Sequence, residues 1–173
     1  MVEIKTLIDE EKLHNRIDEI AKQIEEEYKG KELTLICILK GSVFFTVDLA
    51  KRINEDVRLE FIRVSSYGEG TESTGEIKMK LDLKDSIQGK DVIVVEDIID
   101  TGRTLSYLLE YLKMKKPNSV KLCTLLDKPD RRVMKDVKVD YTGFEIPDKF
   151  VVGYGLDWDE KYRNLPYIGY IEQ

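Results

Sequence analysis

The chain has 173 residues, of which 42% are hydrophobic and 36% charged, and carries a net charge of −6. That length suits a single domain with its own core, and the hydrophobic share is too high for intrinsic disorder. No apolar run approaches the roughly 18 residues of a membrane span, the acidic start MVEIKTLIDEEKL lacks the apolar segment of a signal peptide, and no basic block suggests nucleic-acid binding.

In chain order, Leu13, Ile17, Ile20, Ala21, Ile24 and Tyr28 recur at helical spacing among charges and predict an amphipathic helix closed by Gly30. LTLICIL (33–39) is wholly apolar, the pattern of a strand covered on both faces. Lys40-Gly41-Ser42 interrupts it, with Ser42 as the expected N-cap of a helix over 43–53. A second strand is expected over 58–67, then a mobile polar loop, GEGTESTGE (68–76), then an alternating stretch (76–83) that pairs back on it. VIVVEDIIDTGRTL (92–105) runs from a buried strand through a turn into a helix marked by Leu105, Leu108, Leu109 and Leu112, ending at Pro117-Asn118. VKLCTLL (120–126) is the next buried strand, and short strands are expected at 150–152 and 167–170. Cys37 and Cys123 lie inside apolar runs and read as buried, reduced thiols of a cytoplasmic protein. Alternating strands and helices imply an α/β fold with a mainly parallel twisted sheet flanked by helices. Ligands of such sheets bind beyond the carboxyl ends of the strands, which singles out 40–42, 96–104 and 127–129.

The chemistry concentrates in the middle loop. Thr101, Gly102, Arg103 and Thr104 bridge a strand and a helix, so backbone N–H groups, two hydroxyls and a helix N-terminus converge in a site suited to phosphate. It is not a Walker loop, because GxxxxGK[ST] occurs nowhere, and no dinucleotide fingerprint is present. The residues alone leave an ordinary capped turn equally open. Glu96 and Asp97 at the strand end suit sugar hydroxyls or a hydrated Mg²⁺, and Asp100 is placed to exchange a proton; helix capping is the alternative for all three. Lys128, beyond a buried strand, could donate to the O6 of a 6-oxopurine, whereas an adenine amino group offers it no acceptor. His14, the only histidine, lies on the polar side of the first helix and is expected to be solvated.

VVEDIIDTGRTL (94–105) closely resembles the 5-phosphoribosyl-1-diphosphate (PRPP) motif of type I phosphoribosyltransferases, in the form of the hypoxanthine-guanine members. The resemblance runs from the Leu39-Lys40-Gly41-Ser42 loop to 157–163. It implies a single phosphoribosyltransferase domain over 1–173 whose small base-binding hood comes from the N-terminal segment and roughly 140–173. It also implies a Mg²⁺-dependent purine-salvage transferase that makes IMP or GMP from PRPP and hypoxanthine or guanine.

Carried onto this sequence, the family's roles are as follows. Asp100, Thr101, Gly102, Arg103 and Thr104 hold the 5′-phosphate, and Asp100 is the general base. Glu96 and Asp97 contact the ribose hydroxyls or the metal. Lys40, Gly41, Ser66, Tyr67 and Arg163 bind pyrophosphate, with a cis peptide bond between Leu39 and Lys40. Lys128, Phe150, Val151 and Asp157 surround the purine, Asp157 holding a second Mg²⁺. Without the resemblance, Phe150 reads as core and Arg163 as a surface charge. The loop after Ser65-Ser66-Tyr67, with Gly68, Gly70 and Gly75, matches a lid over the site. A homodimer or homotetramer is implied, with no nucleic-acid or membrane partner. Arg103 stands where lysine is frequent, and Trp158 where many relatives carry tyrosine, which leaves the choice among hypoxanthine, guanine and xanthine open. A xanthine-preferring transferase and a PRPP-sensing regulator are the alternatives; the latter should show a basic face or an added DNA-binding domain.

Overall fold

The computed structural model describes residues 2–66 and 77–172. Its elements are β1 (Ile4–Ile8), α1 (Glu10–Glu27), β2 (Leu33–Ile38), α2 (Val43–Arg52), β3 (Val57–Ser66), β4 (Ile77–Leu81), β5 (Asp91–Ile99), α3 (Arg103–Lys113), β6 (Ser119–Asp127), β7 (Tyr141–Glu145), β8 (Phe150–Val152) and β9 (Ile168–Ile171). They form a six-stranded sheet in the order β4-β3-β2-β5-β6-β7 and a three-stranded sheet in the order β1-β9-β8. The large sheet is parallel except for β4, which pairs antiparallel with β3; the small sheet is antiparallel.

Two-sided burial explains the apolar runs. All six residues of β2 are buried. Leu35, Ile93 and Cys123 belong to a cluster with α1 and α2, whereas their neighbours Ile36, Val94 and Leu122 belong to a second cluster with Leu105, Leu108 and Leu112 of α3. A side-chain period of two therefore feeds two cores at once. The helices contribute matching stripes: Leu13, Ile17, Ile20, Ala21 and Ile24 of α1 are buried. Asp9 caps α1 by accepting from the Lys12 amide at 2.9 Å, and Glu10 and Glu11 complement the helix dipole. Both cysteines are buried free thiols.

Three local expectations need correction. Ser42 precedes α2 but makes no side-chain cap; its hydroxyl donates back to the Ile38 carbonyl at 2.7 Å, an acceptor at the end of β2 that also takes the Ser42 amide at 3.4 Å. β1 and β7 were not evident in the sequence. Both are short edge strands, β1 paired with the distant β9 and β7 with the preceding β6. The connections place the site. β2 leads through α2 to β3 on one side, whereas β5 leads through α3 to β6 on the other, so the loops after β2 and β5 diverge over one crevice. The small sheet closes the chain ends over the α1 side, where Ile8, Val151 and Ile168 join the first core.

Phe45 anchors α2, and hence the loop before it, with no solvent exposure. Phe45→Ala is expected to cost about 3–5 kcal/mol, read as a lowered midpoint in denaturant unfolding at unchanged slope.

Candidate active site

The crevice is a cavity of about 370 Å³ lined by Lys40 and Gly41, by the whole segment from Glu96 to Leu105, and by Asp157 and Arg163. Residues far apart in sequence thus meet at the carboxyl ends of β2 and β5. Backbone contact is close here. A Cβ on Gly41 would lie 1.7 Å from Asp97 Oδ2, and one on Gly155 would lie 2.1 Å from the Gly41 carbonyl oxygen. Only glycine fits either position, and the stack fixes Asp97, the 40–41 loop and the segment after β8 against one another. The Leu39–Lys40 peptide bond is cis, the geometry implied by the resemblance.

The anion cradle is the turn from β5 into α3. Gly102 occupies the N-cap of α3 at φ +82°, a left-handed conformation that suits glycine. Gly102, Arg103, Thr104 and Leu105 line the cavity, and the first turn of a helix offers amides that the helix itself does not use. The Thr101 hydroxyl accepts from the Arg103 amide at 3.4 Å, and the hydroxyls of Thr104 and Ser66 lie 3.5 Å apart. A neighbouring segment braces the turn from behind. The Val133 and Met134 amides both donate to the Thr101 carbonyl at 2.9 Å. Arg132 donates from Nε to the Asp100 carbonyl at 3.1 Å and pairs through Nη2 with Asp127. Sequence reading singled out the loop that begins at Asp127 but missed Arg132 and its pairing with Asp127; within DKPDRRVMK Arg132 looks like a surface charge, and only the parallel packing of β5 and β6 brings the pair under the cradle.

The acids differ in their surroundings. Glu96 Oε1 accepts from the Asp97 amide at 2.9 Å, and Asp97 Oδ1 from the Ile98 amide at 2.6 Å. Burial, followed by the charge of Asp97, pushes the Glu96 carboxyl well above the usual carboxylate range; burial also raises Asp97. Asp100 Oδ1 is buried without a hydrogen-bond partner, with Lys128 Nζ 3.9 Å away. Lys128, only 8% exposed, also lies 3.4 Å from Asp148. Asp157 accepts from the Glu160 amide at 2.9 Å and pairs with Arg163 at 3.3 Å. Among the described residues no group of three or more His, Cys, Asp or Glu converges as a metal cage. Glu96 and Asp97 are adjacent hard oxygen donors, the chemistry that suits a cation that keeps most of its waters.

Phe150 and Val151 stand apart from this cavity. Phe150, 41% exposed, lines a neighbouring cavity with Trp158, the rings meeting edge to face at 6.5 Å, while Val151 is buried in β8. Tyr67 and the glycines Gly68, Gly70 and Gly75 lie outside the described residues.

A carboxyl whose folded-state pKa exceeds its unfolded value opposes folding as pH rises from the ordinary carboxylate range through the raised value. Glu96→Gln removes that penalty. Its Tm should exceed that of the wild type at about pH 8, by roughly 2–4 °C for each 1 kcal/mol recovered, and the gap should close below about pH 4. Thermal melts across pH measure this; a variant that is less stable at alkaline pH would contradict the electrostatic account.

The hypoxanthine-guanine phosphoribosyltransferase of Streptococcus thermophilus is 47% identical over 169 residues, which cover 98% of this chain and 93% of that protein. A crystal structure of a hypoxanthine-guanine phosphoribosyltransferase from Bacillus anthracis superposes with a TM-score of 0.94 at 52% identity, covering 98% of this chain and all of that one. The bifunctional protein TilS/HprT of Listeria monocytogenes is 50% identical over 168 residues, but this chain spans only 26% of its length. The family model for the phosphoribosyl transferase domain matches residues 4–159. The chain therefore belongs to the phosphoribosyl transferase domain family, whose fold accounts for the crevice between β2 and β5.

Proposed function

We propose that the protein is a purine-salvage enzyme that transfers the 5-phosphoribosyl group of PRPP to N9 of hypoxanthine or guanine, releasing pyrophosphate. The observation that carries this reading is the union, in one cavity, of an anion cradle, a buried unpartnered carboxylate oxygen on Asp100 and two cations, Lys40 and Arg163, on the opposite wall. The turn from Asp100 to Thr104 takes the 5′-phosphate, its amides and hydroxyls donating to the phosphate oxygens. Glu96 and Asp97 lie where ribose hydroxyls would approach. Mg²⁺, held by Glu96 and Asp97 and by Asp157 as a second site, would supply neutralisation of charge on the leaving pyrophosphate. Lys40, Gly41, Ser66, Tyr67 and Arg163 take the pyrophosphate.

As N9 attacks the ribose C1 and the bond to pyrophosphate breaks, Asp100 accepts the N7 proton; its unpartnered oxygen has no competing donor within hydrogen-bond reach. Lys128 stands 3.9 Å from that oxygen, and its ammonium would donate to the 6-oxo group of the base. Phe150 offers an exposed aromatic face for stacking, and Val151 offers backbone groups for the base edge. The small sheet of β1, β9 and β8 acts as the hood over the base, in a cytoplasmic homodimer or homotetramer. No helix among the described residues is long and apolar enough to cross a membrane.

Incubation with PRPP, Mg²⁺ and each of hypoxanthine, guanine, xanthine, adenine and uracil should convert the first two to nucleotides. Conversion of none would remove the reading, and preference for xanthine would reassign the 2-position. Asp100→Asn should lower kcat by about 10²–10⁴-fold while 5′-phosphate binding persists. Lys128→Gln should lower kcat/KM for hypoxanthine by roughly 5–150-fold, because the 6-oxo acceptor loses a charged donor worth about 1–3 kcal/mol. Steady-state kinetics of both variants checks these values.

A further inference from the structure

The two cations assigned to pyrophosphate share one internal carboxylate. Lys40 Nζ donates to Glu160 Oε2 at 2.8 Å, and Arg163 Nη2 to Glu160 Oε1 at 3.0 Å, so Glu160 spans both with its two oxygens. A bidentate carboxylate between Lys and Arg offers the charge and geometry of two phosphate oxygens. The backbone is arranged for this contact. The Trp158 and Lys161 amides each donate to the other's carbonyl, at 3.1 and 3.0 Å, closing a two-residue turn on Asp159 and Glu160. Both central residues have positive φ, +53° and +60°, where non-glycine residues are uncommon. The Glu160 amide donates to Asp157, which locks the turn. Arg163, meanwhile, is incompletely satisfied: Nη1 donates to the Gly155 carbonyl at 2.7 Å, but the buried Nε has no partner. The bonds to Lys40 and then Arg163 hold the Glu160 carboxyl below the usual carboxylate range, so it is charged at neutral pH.

We propose that Glu160 is a displaceable placeholder for pyrophosphate, neutralising Lys40 and Arg163 in the free protein and exchanged for the diphosphate when it binds. The proposal rests on the pyrophosphate role given to Lys40 and Arg163 above. Glu160 thereby sets how tightly the leaving group is held. It lowers the affinity of the two cations for pyrophosphate and takes its place on release. A merely structural Glu160 would act in the opposite direction, since losing it would loosen the turn and weaken binding.

The test is calorimetric titration of wild type and Glu160→Gln with magnesium pyrophosphate at low ionic strength. Both ion pairs are partly exposed, so a modest effect is expected: the Kd of the variant should fall about two- to fivefold. The gap should close near 1 M salt, where the Debye length is about 3 Å. Binding of GMP, whose phosphate belongs to the cradle rather than to Lys40 and Arg163, should be unchanged. Equal or weaker pyrophosphate binding by the variant, or a gain shared by GMP, overturns the placeholder. Wild type that converts hypoxanthine yet shows no difference from the variant isolates the failure to this inference. Wild type that neither converts a base nor binds pyrophosphate removes the underlying reading as well.

Discussion

The site depends on a steric stack in which Gly41 is pressed from both sides. Asp97 fills the space where a Cβ of residue 41 would be, and Gly155 lies against the Gly41 carbonyl. The strand that carries the acids, the loop that carries Lys40 and the segment that carries Asp157, Glu160 and Arg163 are therefore fixed by van der Waals contact rather than by long side chains. Contact at this range does not yield, because protein interiors are packed like crystals. The backbone walls of the cavity are set by the same contacts.

Around this stack the polar groups fall into two populations. Structural ones are mostly satisfied, Tyr28 Oη being a buried exception at the end of α1: Arg16 donates to the Gly143 and Thr142 carbonyls and ties α1 to the edge of the large sheet, and Tyr154 donates to Asp48 and ties the segment after β8 to α2. Those in the cavity are not. Asp100 Oδ1 and Arg163 Nε lack partners, and Glu96 and Asp97 are ionised only against the cost of burial. Unsatisfied groups that a fold keeps despite their cost tend to mark function, where stability is exchanged for readiness. Arg132 belongs to the first population although it touches the second, since its bonds to Asp127 and the Asp100 carbonyl hold the cradle without entering it.

Much of the fold was legible because two-sided burial writes itself into sequence. LTLICI and VIVV have no charged break, and the leucines of α3 keep helical spacing, so parallel strands and covering helices followed from periodicity. β1 and β7 escaped because IKTLI and YTGFE are short and lie toward sheet edges, where local pattern is weak and distant pairing decides. Ser42 has the right residue type for a cap, but the Ile38 carbonyl at the end of β2 competes more successfully for its hydroxyl.

By itself the sequence determined the α/β class and, through the motif over 94–105, the family, because these reside in contiguous residues whose chemistry is local. Tertiary structure alone decided the rest. Phe150 faces a cavity beside the catalytic one rather than the core, since the small antiparallel sheet turns it outward. Arg132 and Glu160, unremarkable charges in the chain, reach the site only through the pairing of β5 with β6 and the tight turn after Asp157. Contacts between residues remote in sequence carry no periodic signature. What they do to one another is fixed only when the core brings their backbones together.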